Sequence, residues 1–343
     1  MRVLVTGGAG FIGSNVANRL IGNGNEVIVF DNLSRRGSEL NLKWLKKNGK
    51  FTFIKGDTRD KKAVNNVFKK YSPIDTVFHF AAQTAVTTSV INPAEDFEIN
   101  AMGTFNLLEA CRKEENKPLV VFSSTNKVYG KLENTSLVEK SKRYEAKNLK
   151  NGINESTKLD FYSPYGCSKG CADQYVRDYS RMYDLPTIVF RMSCIYGERQ
   201  FGVEDQGWVA WFIITAIRNR QLTIYGNGKQ IRDILFIEDY VNLCMSAVKN
   251  KDKIKGKVYN IGGGKENTIS LLELIDTIED KLGKKIKCKF SDPRPGDQLF
   301  YVSDTTKAKQ DMKWKPNVNV AKGVHRLYQW LIEHKKEIES VLP

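Results

Sequence analysis

Histidine and cysteine are scarce in this chain and poorly placed for metal binding. Only His79, His325 and His334 occur, and the six cysteines (Cys111, Cys167, Cys171, Cys194, Cys244 and Cys288) include no Cys-x-x-Cys pair. A zinc site, a disulfide framework and a histidine-rich metal site are therefore not expected. Cys167 and Cys171 lie one helical turn apart and read as small packing residues. No apolar run approaches the roughly 20 residues that span a bilayer, so no membrane partner is expected. The opening Met1-Arg2-Val3-Leu4-Val5 runs directly into a glycine loop, without the pattern of a signal peptide. Cytoplasmic residence is the expectation. Internal repeats and low-complexity linkers are missing too.

Acidic residues are in deficit: 39 against 54 lysines and arginines, for a formal charge of +15. The basic residues are dispersed, however, as in Lys43, Lys46 and Lys47 or Lys281, Lys284, Lys285, Lys287 and Lys289. They form no stripe interleaved with aromatics and accompany no nucleic-acid-binding motif, so no nucleic-acid partner is expected. The charge reads as a lysine-rich solvated surface whose positive field would favour an anionic substrate.

What is present is an ordinary globular composition. The 343 residues are 41% hydrophobic and 27% charged, enough for a large core and two lobes. The first half alternates strand and helix. Strands are predicted at Arg2–Thr6, Glu26–Phe30, Lys50–Ile54, Thr76–Phe80, Leu119–Phe122 and Thr187–Arg191, with helices at Phe11–Gly22, Lys62–Lys70, Glu95–Arg112 and Pro164–Tyr183. That alternation predicts an α/β fold, a Rossmann-type doubly wound parallel sheet covered on both faces. After Tyr196 the pattern becomes irregular, with helices at Trp208–Arg218 and Ser270–Leu282 and short strands at Thr223–Tyr225 and Asp233–Phe236. It predicts a smaller C-terminal lobe. The expected division is 1–192 for the dinucleotide domain, with 234–263 returning to it, and 193–233 with 264–343 for the substrate lobe.

Ligands of such sheets bind beyond the carboxyl ends of the strands, and the informative residues cluster there. Thr6-Gly7-Gly8-Ala9-Gly10-Phe11-Ile12-Gly13 contains Gly8-x-Gly10-x-x-Gly13 between a strand and a helix. Such glycines allow a pyrophosphate to approach the backbone, and the helix N-terminus offers it amides and a positive dipole end. Asp31 follows 18 residues after Gly13. A carboxylate there accepts from both adenosine ribose hydroxyls, which favours NAD. Arg35 and Arg36 could hold the 2′-phosphate of NADP, but Asp31 would repel it. Asp57 and Thr58 follow the third strand, with Asp57 a candidate acceptor for the adenine amino group; Ala81-Ala82 follow the fourth strand and Thr125 the fifth.

Ser163-Pro164-Tyr165-Gly166-Cys167-Ser168-Lys169 opens a helix, with Ser163 as N-cap. Tyr165 and Lys169, at i and i+4, share one face. A lysine ammonium and an oxidised nicotinamide would both favour the phenolate of Tyr165, making it a base for an alcohol proton. Thr125 could hydrogen-bond the same substrate oxygen.

Taken together, these segments resemble the extended short-chain dehydrogenase/reductase family of nucleotide-sugar enzymes over nearly the whole chain. Within it, the chain is most similar to the CDP-tyvelose (CDP-paratose) 2-epimerases. The resemblance is carried by Asp31-Asn32-Leu33-Ser34-Arg35, Ser124-Thr125-Asn126-Lys127-Val128-Tyr129-Gly130, Asn154-Glu155-Ser156-Thr157-Lys158-Leu159-Asp160-Phe161, the Ser163–Gly170 segment, and Arg199-Gln200-Phe201 with Asp205-Gln206-Gly207-Trp208-Val209. It implies that Tyr165, Lys169 and Thr125 are catalytic. It implies NAD contacts from Gly7, Gly10, Phe11, Ile12, Gly13, Asp31, Asn32, Ser34, Arg35, Asp57, Thr58, Ala81, Ala82, Asn100, Ser123, Tyr165 and Lys169. For a nucleotide-sugar substrate, with CDP favoured, it implies Thr125, Asn126, Gln206, Arg232 in Tyr225–Asp233, and Arg294 and Asp297 in Asp292-Pro293-Arg294-Pro295-Gly296-Asp297. It also implies a homo-oligomer.

The reaction so implied is epimerisation at C2 through a transient 2-keto sugar. The residues themselves leave open a C4-epimerase of the same family and, in another class, a non-catalytic NAD-sensing protein. The resembling 4,6-dehydratases carry Asp-Glu after the catalytic threonine, where this chain has Asn126-Lys127, which argues against dehydration.

Overall fold

The computed structural model describes residues 1–294 and 296–342. Its centre is a seven-stranded sheet built from β1 (Arg2–Thr6), β2 (Glu26–Asp31), β3 (Thr52–Lys55), β4 (Thr76–His79), β5 (Leu119–Thr125), β6 (Thr187–Met192) and β7 (Lys257–Ile261). The spatial order is β7-β6-β5-β4-β1-β2-β3, and every neighbouring pair is parallel. The strands read as continuous apolar runs because both faces are covered. Along β1, Val3 and Val5 pack into one core with Val16 and Leu20 of α1 (Phe11–Gly22), while Leu4 packs into the opposite core with Ile28, Val64 and Phe68. The chain leaves β1 toward β2 and β3, then resumes with β4 on its other side. That reversal opens a crevice at the carboxyl ends of β1 and β4.

Beyond β6 the chain builds smaller sheets. Ile231–Phe236 pairs antiparallel with Thr268–Ser270 and parallel with both Cys194–Tyr196 and Phe300–Tyr301. Leu222–Tyr225 pairs in parallel with Cys288–Ser291. Helix Leu271–Leu282 starts at a capping box, in which the Ser270 hydroxyl accepts from Glu273 N and the Glu273 carboxylate accepts from Ser270 N. β7 then rejoins the main sheet beside β6.

Some elements differ from expectation for identifiable reasons. Helix Ser38–Asn48 was not expected because its lysines hide a narrow apolar stripe of Leu42 and Leu45. The predicted Glu95–Arg112 helix is interrupted by a π-turn at Glu98–Met102, which periodicity at 3.6 residues does not reveal. Cys167 is exposed rather than packed.

One buried ion pair holds the sheet to the helix that follows Tyr162. Arg191 on β6 donates twice to Asp173 of α2 (Ser163–Tyr183), at 2.9 and 2.8 Å, and both side chains are buried. Asp173 also accepts from Ser124 Oγ at 2.8 Å. Arg191 donates on to Tyr129 Oη at 3.0 Å, and Tyr129 to Asn260 Oδ1 at 2.7 Å. α2 is thereby registered against β5, one residue before Thr125.

Candidate active site

A cleft of about 330 Å³ opens over the carboxyl ends of the central strands. Its floor is the turn from β1 to α1. Gly7 lies at φ +65, and a Cβ there would stand 2.6 Å from Ala81 N. A Cβ on Gly13 would stand 2.1 Å from Gly7 O. Both positions therefore require glycine, and the backbone is left bare toward the cleft. Gly10 caps α1 without a side-chain hydrogen bond, so the first amides of the helix meet no capping oxygen of its own. The glycines of this turn that line the cleft are Gly7, Gly10 and Gly13, with Phe11 and Ile12 between them. Gly8, the first glycine of the expected frame, instead faces the sheet, where a Cβ would strike Val5 O and Val29.

Asp31 ends β2 on the same cleft. Its carboxylate accepts from Ala9 N at 2.9 Å and Leu33 N at 2.8 Å, which ties the glycine turn to β2. Burial raises its pKa, and those amides oppose the rise. Asn32 donates to Asp57 Oδ2 at 2.8 Å. Burial works against ionisation of Asp57, but its bonds to Arg59 and Asn32 prevail and hold it down at about 2. Ser34, Arg35, Thr58, Ala81, Ala82 and Ser123 also line the cleft. The bare glycine turn, the helix N-terminus and the fixed carboxylate fit a dinucleotide's pyrophosphate and ribose. Among the described residues, no group of three or more His, Cys, Asp or Glu is placed to hold a metal ion.

At the other end of the cleft stand Tyr165 and Lys169. Ser163 is the first residue of α2, at φ +72, and the N-cap position falls on Tyr162 instead; the Ser163 hydroxyl still accepts from Gly166 N at 3.2 Å. Tyr165 N donates to Ser89 Oγ at 3.1 Å. The phenol stands near enough to the Thr125 hydroxyl to be influenced by it, while Thr125 Oγ1 donates to Asn126 Oδ1 at 3.3 Å. Thr125 Oγ1 also accepts from Lys127 N at 3.2 Å. The Lys169 ammonium lies 4.2 Å from the centre of the Phe122 ring, beneath the cleft. Burial pushes the Tyr165 phenol up to about 12; the nearby Thr125 hydroxyl opposes this and Asp96 adds to it. Burial drives Lys169 itself down to about 7, against the pull of Asp173 and Asp96.

Asn100 stands behind this pair. It is 1% exposed, and its amide is fully committed: Nδ2 donates to Asp96 and Ser168, both at 3.1 Å, while Oδ1 accepts from Gln83 N at 3.0 Å. Its side chain supports α2 and the Gln83 turn instead of presenting itself to a ligand. Asp96 and Ser168, which complete the cluster, were not anticipated. The i,i+4 spacing of Asp96 and Asn100 was the available signal.

The expected substrate residues divide into two groups. Asn126 Nδ2 donates to Gln298 Oε1 at 3.2 Å, and Gln298 Nε2 donates to Gly130 O at 2.6 Å. Arg232 pairs with Asp297 at 2.6 Å. Arg294 lies over the Tyr225 ring at 3.9 Å, donates to Glu204 O and pairs with Asp205 at 3.2 Å. Pro295, within that run, lies outside the described residues. Gln206 is elsewhere: it accepts from Arg35 and lines the cleft beside Asp31. Gln298 and cleft-lining Arg199 were missed as contributors, because no local spacing marks either one.

The family model described as GDP-mannose 4,6 dehydratase matches residues 4–327. A CDP-paratose 2-epimerase of Salmonella typhi is 48% identical over 96% of this chain and 99% of its own length. Among solved structures, the UDP-glucose 4-epimerase of Thermotoga maritima with UDP-glucose is 32% identical, with a TM-score of 0.84 over 98% of this chain and 100% of that one. The UDP-glucuronic acid 4-epimerase of Bacillus cereus, in complex with UDP-glucuronic acid and NAD, is 29% identical, with a TM-score of 0.82 over 97% and 99%. With its parallel sheet, its glycine turn and the Thr125–Tyr165–Lys169 constellation, this chain belongs to the extended short-chain dehydrogenase/reductase family of nucleotide-sugar epimerases and dehydratases.

Proposed function

We propose that the protein is an NAD-dependent epimerase acting at C2 of a CDP-linked hexose, converting CDP-paratose to CDP-tyvelose or a related pair. One observation carries the choice within the family. The turn beside Thr125 presents Asn126 and Lys127, with no carboxylic acid to drive loss of water, and the 48% identical relative bears the name of a 2-epimerase. Residues 1–192 with 234–263 are assigned to NAD, and 193–233 with 264–343 to the nucleotide sugar. Cytoplasmic residence and self-association belong to the same proposal.

In this reading, bound NAD supplies a reversible hydride acceptor whose positive charge favours a phenolate nearby. Gly7, Gly10 and Gly13 seat its pyrophosphate and Asp31 its adenosine ribose. Thr125 and Tyr165 bracket the C2 hydroxyl, and Tyr165 takes its proton as the C2 hydride departs. The resulting 2-keto sugar re-presents its opposite face and regains hydride there, and Tyr165 returns the proton. Lys169, held by burial near its titration point, responds electrostatically to the charge on the phenol. Arg232, Arg294 and Asp297 retain the nucleotide while the sugar turns.

Incubation with CDP-, UDP-, GDP- and dTDP-hexoses, with NMR of the products, tests the assignment. Inversion at C2 with deuterium retained at that carbon is the expected result. Inversion at C4 would favour a 4-epimerase, the activity named for both solved relatives above. Solvent exchange at C2 would refute hydride return.

A further inference from the structure

We propose that Lys127 binds the β-phosphate of the nucleotide-diphosphate sugar while C2 faces Tyr165; this rests on the C2 reading above. Lys127 sits in the 3-10 turn Asn126–Tyr129 that follows β5, and its N–H is bonded to the Thr125 hydroxyl. Its side chain is only 18% exposed. The ammonium donates to Gly296 O at 3.1 Å and lies 3.8 Å from Asp297 Oδ1. That same oxygen accepts from Arg232 at 2.6 Å. Arg294 acts on the same carboxylate from farther away.

Two sequestered cations thus share one carboxylate, which leaves positive charge in excess. Burying a charge without a full counter-charge is costly, and a bound diphosphate relieves that cost. Lys127 records the shortage. Burial, with Arg232 adding to it, takes its amine down to about 8 although Asp297 pulls the other way.

The chemistry of the sugar places the anion. In a nucleotide-diphosphate hexose the phosphate is carried on C1, adjacent to C2 and across the ring from C4. Presenting C2 to Thr125 and Tyr165 therefore brings the glycosyl phosphate to the residues adjoining Thr125. Presenting C4 sends it away from them. A cation two residues past the substrate-binding threonine is what C2 chemistry needs. Arg232 and Arg294 are then available to the remainder of the diphosphate.

A competing role for Lys127 is a mechanical staple between this turn and the 292–298 loop. The two roles separate by ligand. Calorimetric titrations compare cytidine, CMP and CDP on NAD-loaded wild type, Lys127→Gln and Lys127→Arg, with bound NAD quantified as a check on folding. The phosphate role predicts that Lys127→Gln weakens CDP about tenfold and CMP less than twofold, and that Lys127→Arg keeps CDP within about threefold. Equal losses for CMP and CDP would reduce Lys127 to a staple, and undiminished CDP affinity would overturn the proposal outright. C2 inversion by the wild type is scored separately. Selective CDP loss without C2 activity would sink the C2 reading and keep the phosphate site; C2 activity without selective loss would do the reverse.

Discussion

Replacing Lys169 with methionine should change how the stability of the protein depends on pH as well as stopping turnover. Lys169 is 2% exposed, and burial lowers its amine from an ordinary 10.5 to about 7. Across that interval the unfolded chain carries the proton and the native chain does not, so the unfolded state binds more protons and stability rises with pH. At about 1.4 kcal/mol per pKa unit, holding this lysine in the native site costs on the order of 4 kcal/mol at pH 7 and on the order of 2 at pH 9. The wild type should therefore gain about 2 kcal/mol of unfolding free energy between those pH values from this one residue. Methionine keeps the length and apolar stem of the side chain and cannot titrate. Urea unfolding of both proteins at pH 7 and pH 9, without added NAD, reads the difference directly. The variant should lack roughly that 2 kcal/mol of pH-dependent gain. Parallel pH dependences in the two proteins would show that the native site does not hold Lys169 near neutrality, and the electrostatic role assigned to it would fall. The same substitution should lower turnover by at least about a hundredfold if Lys169 serves the phenol as proposed, its burial being a cost in stability kept for that role.

Tyr165→Phe should reduce turnover by about 10²- to 10⁴-fold while NAD binding, followed by fluorescence, is retained; unchanged turnover would remove Tyr165 as the base. Asp173→Ala should destabilise the protein by about 3–5 kcal/mol, since Arg191 is left buried without its partner, and Asp173→Leu with Arg191→Met should recover most of that loss in urea unfolding. Asp31→Ala should weaken NAD at least about tenfold and narrow its advantage over NADP, because the carboxylate that repels a 2′-phosphate is gone while Arg35 and Arg36 remain beside the cleft. Equal losses for the two cofactors in calorimetry would refute that account of selectivity.

Local chemistry made the strands, the glycine turn, Asp31 and the Tyr165–Lys169 pair legible, because each is written within a few residues. β1 is an apolar run, α1 begins at a glycine, and Tyr165 and Lys169 are one helical turn apart. Less legible was whatever depends on two distant segments meeting. Arg191 and Asp173 carry no local mark of their pairing, yet they register α2 against the strand that bears Thr125. Gln206 looked like a substrate residue from its neighbours in sequence, but the 199–207 loop folds back to Arg35. The same loop also meets Arg294 through Glu204 and Asp205.

That placement bears on how the two ligands would be held. A single loop contacts an arginine at the dinucleotide end of the cleft through Gln206 and an arginine of the opposite lobe through Asp205. Epimerisation returns NAD to its starting state in each turnover, so the enzyme gains nothing by releasing it. The substrate, by contrast, must leave. The loop is joined to the segment after β2 through Arg35 and to Arg294 of the opposite lobe through Glu204 and Asp205. Lys127 and Asn126 then make the corresponding attachment from the catalytic strand, to Gly296 and Gln298. The Asn126–Lys127 pair thus touches both the hydroxyl assigned to the sugar and the segment assigned to the nucleotide. In the proposed reading, Asn126 and Lys127 leave the position next to Thr125 without the carboxylic acid that loss of water would need, and they set an amide and an ammonium beside Gln298 and Asp297 instead.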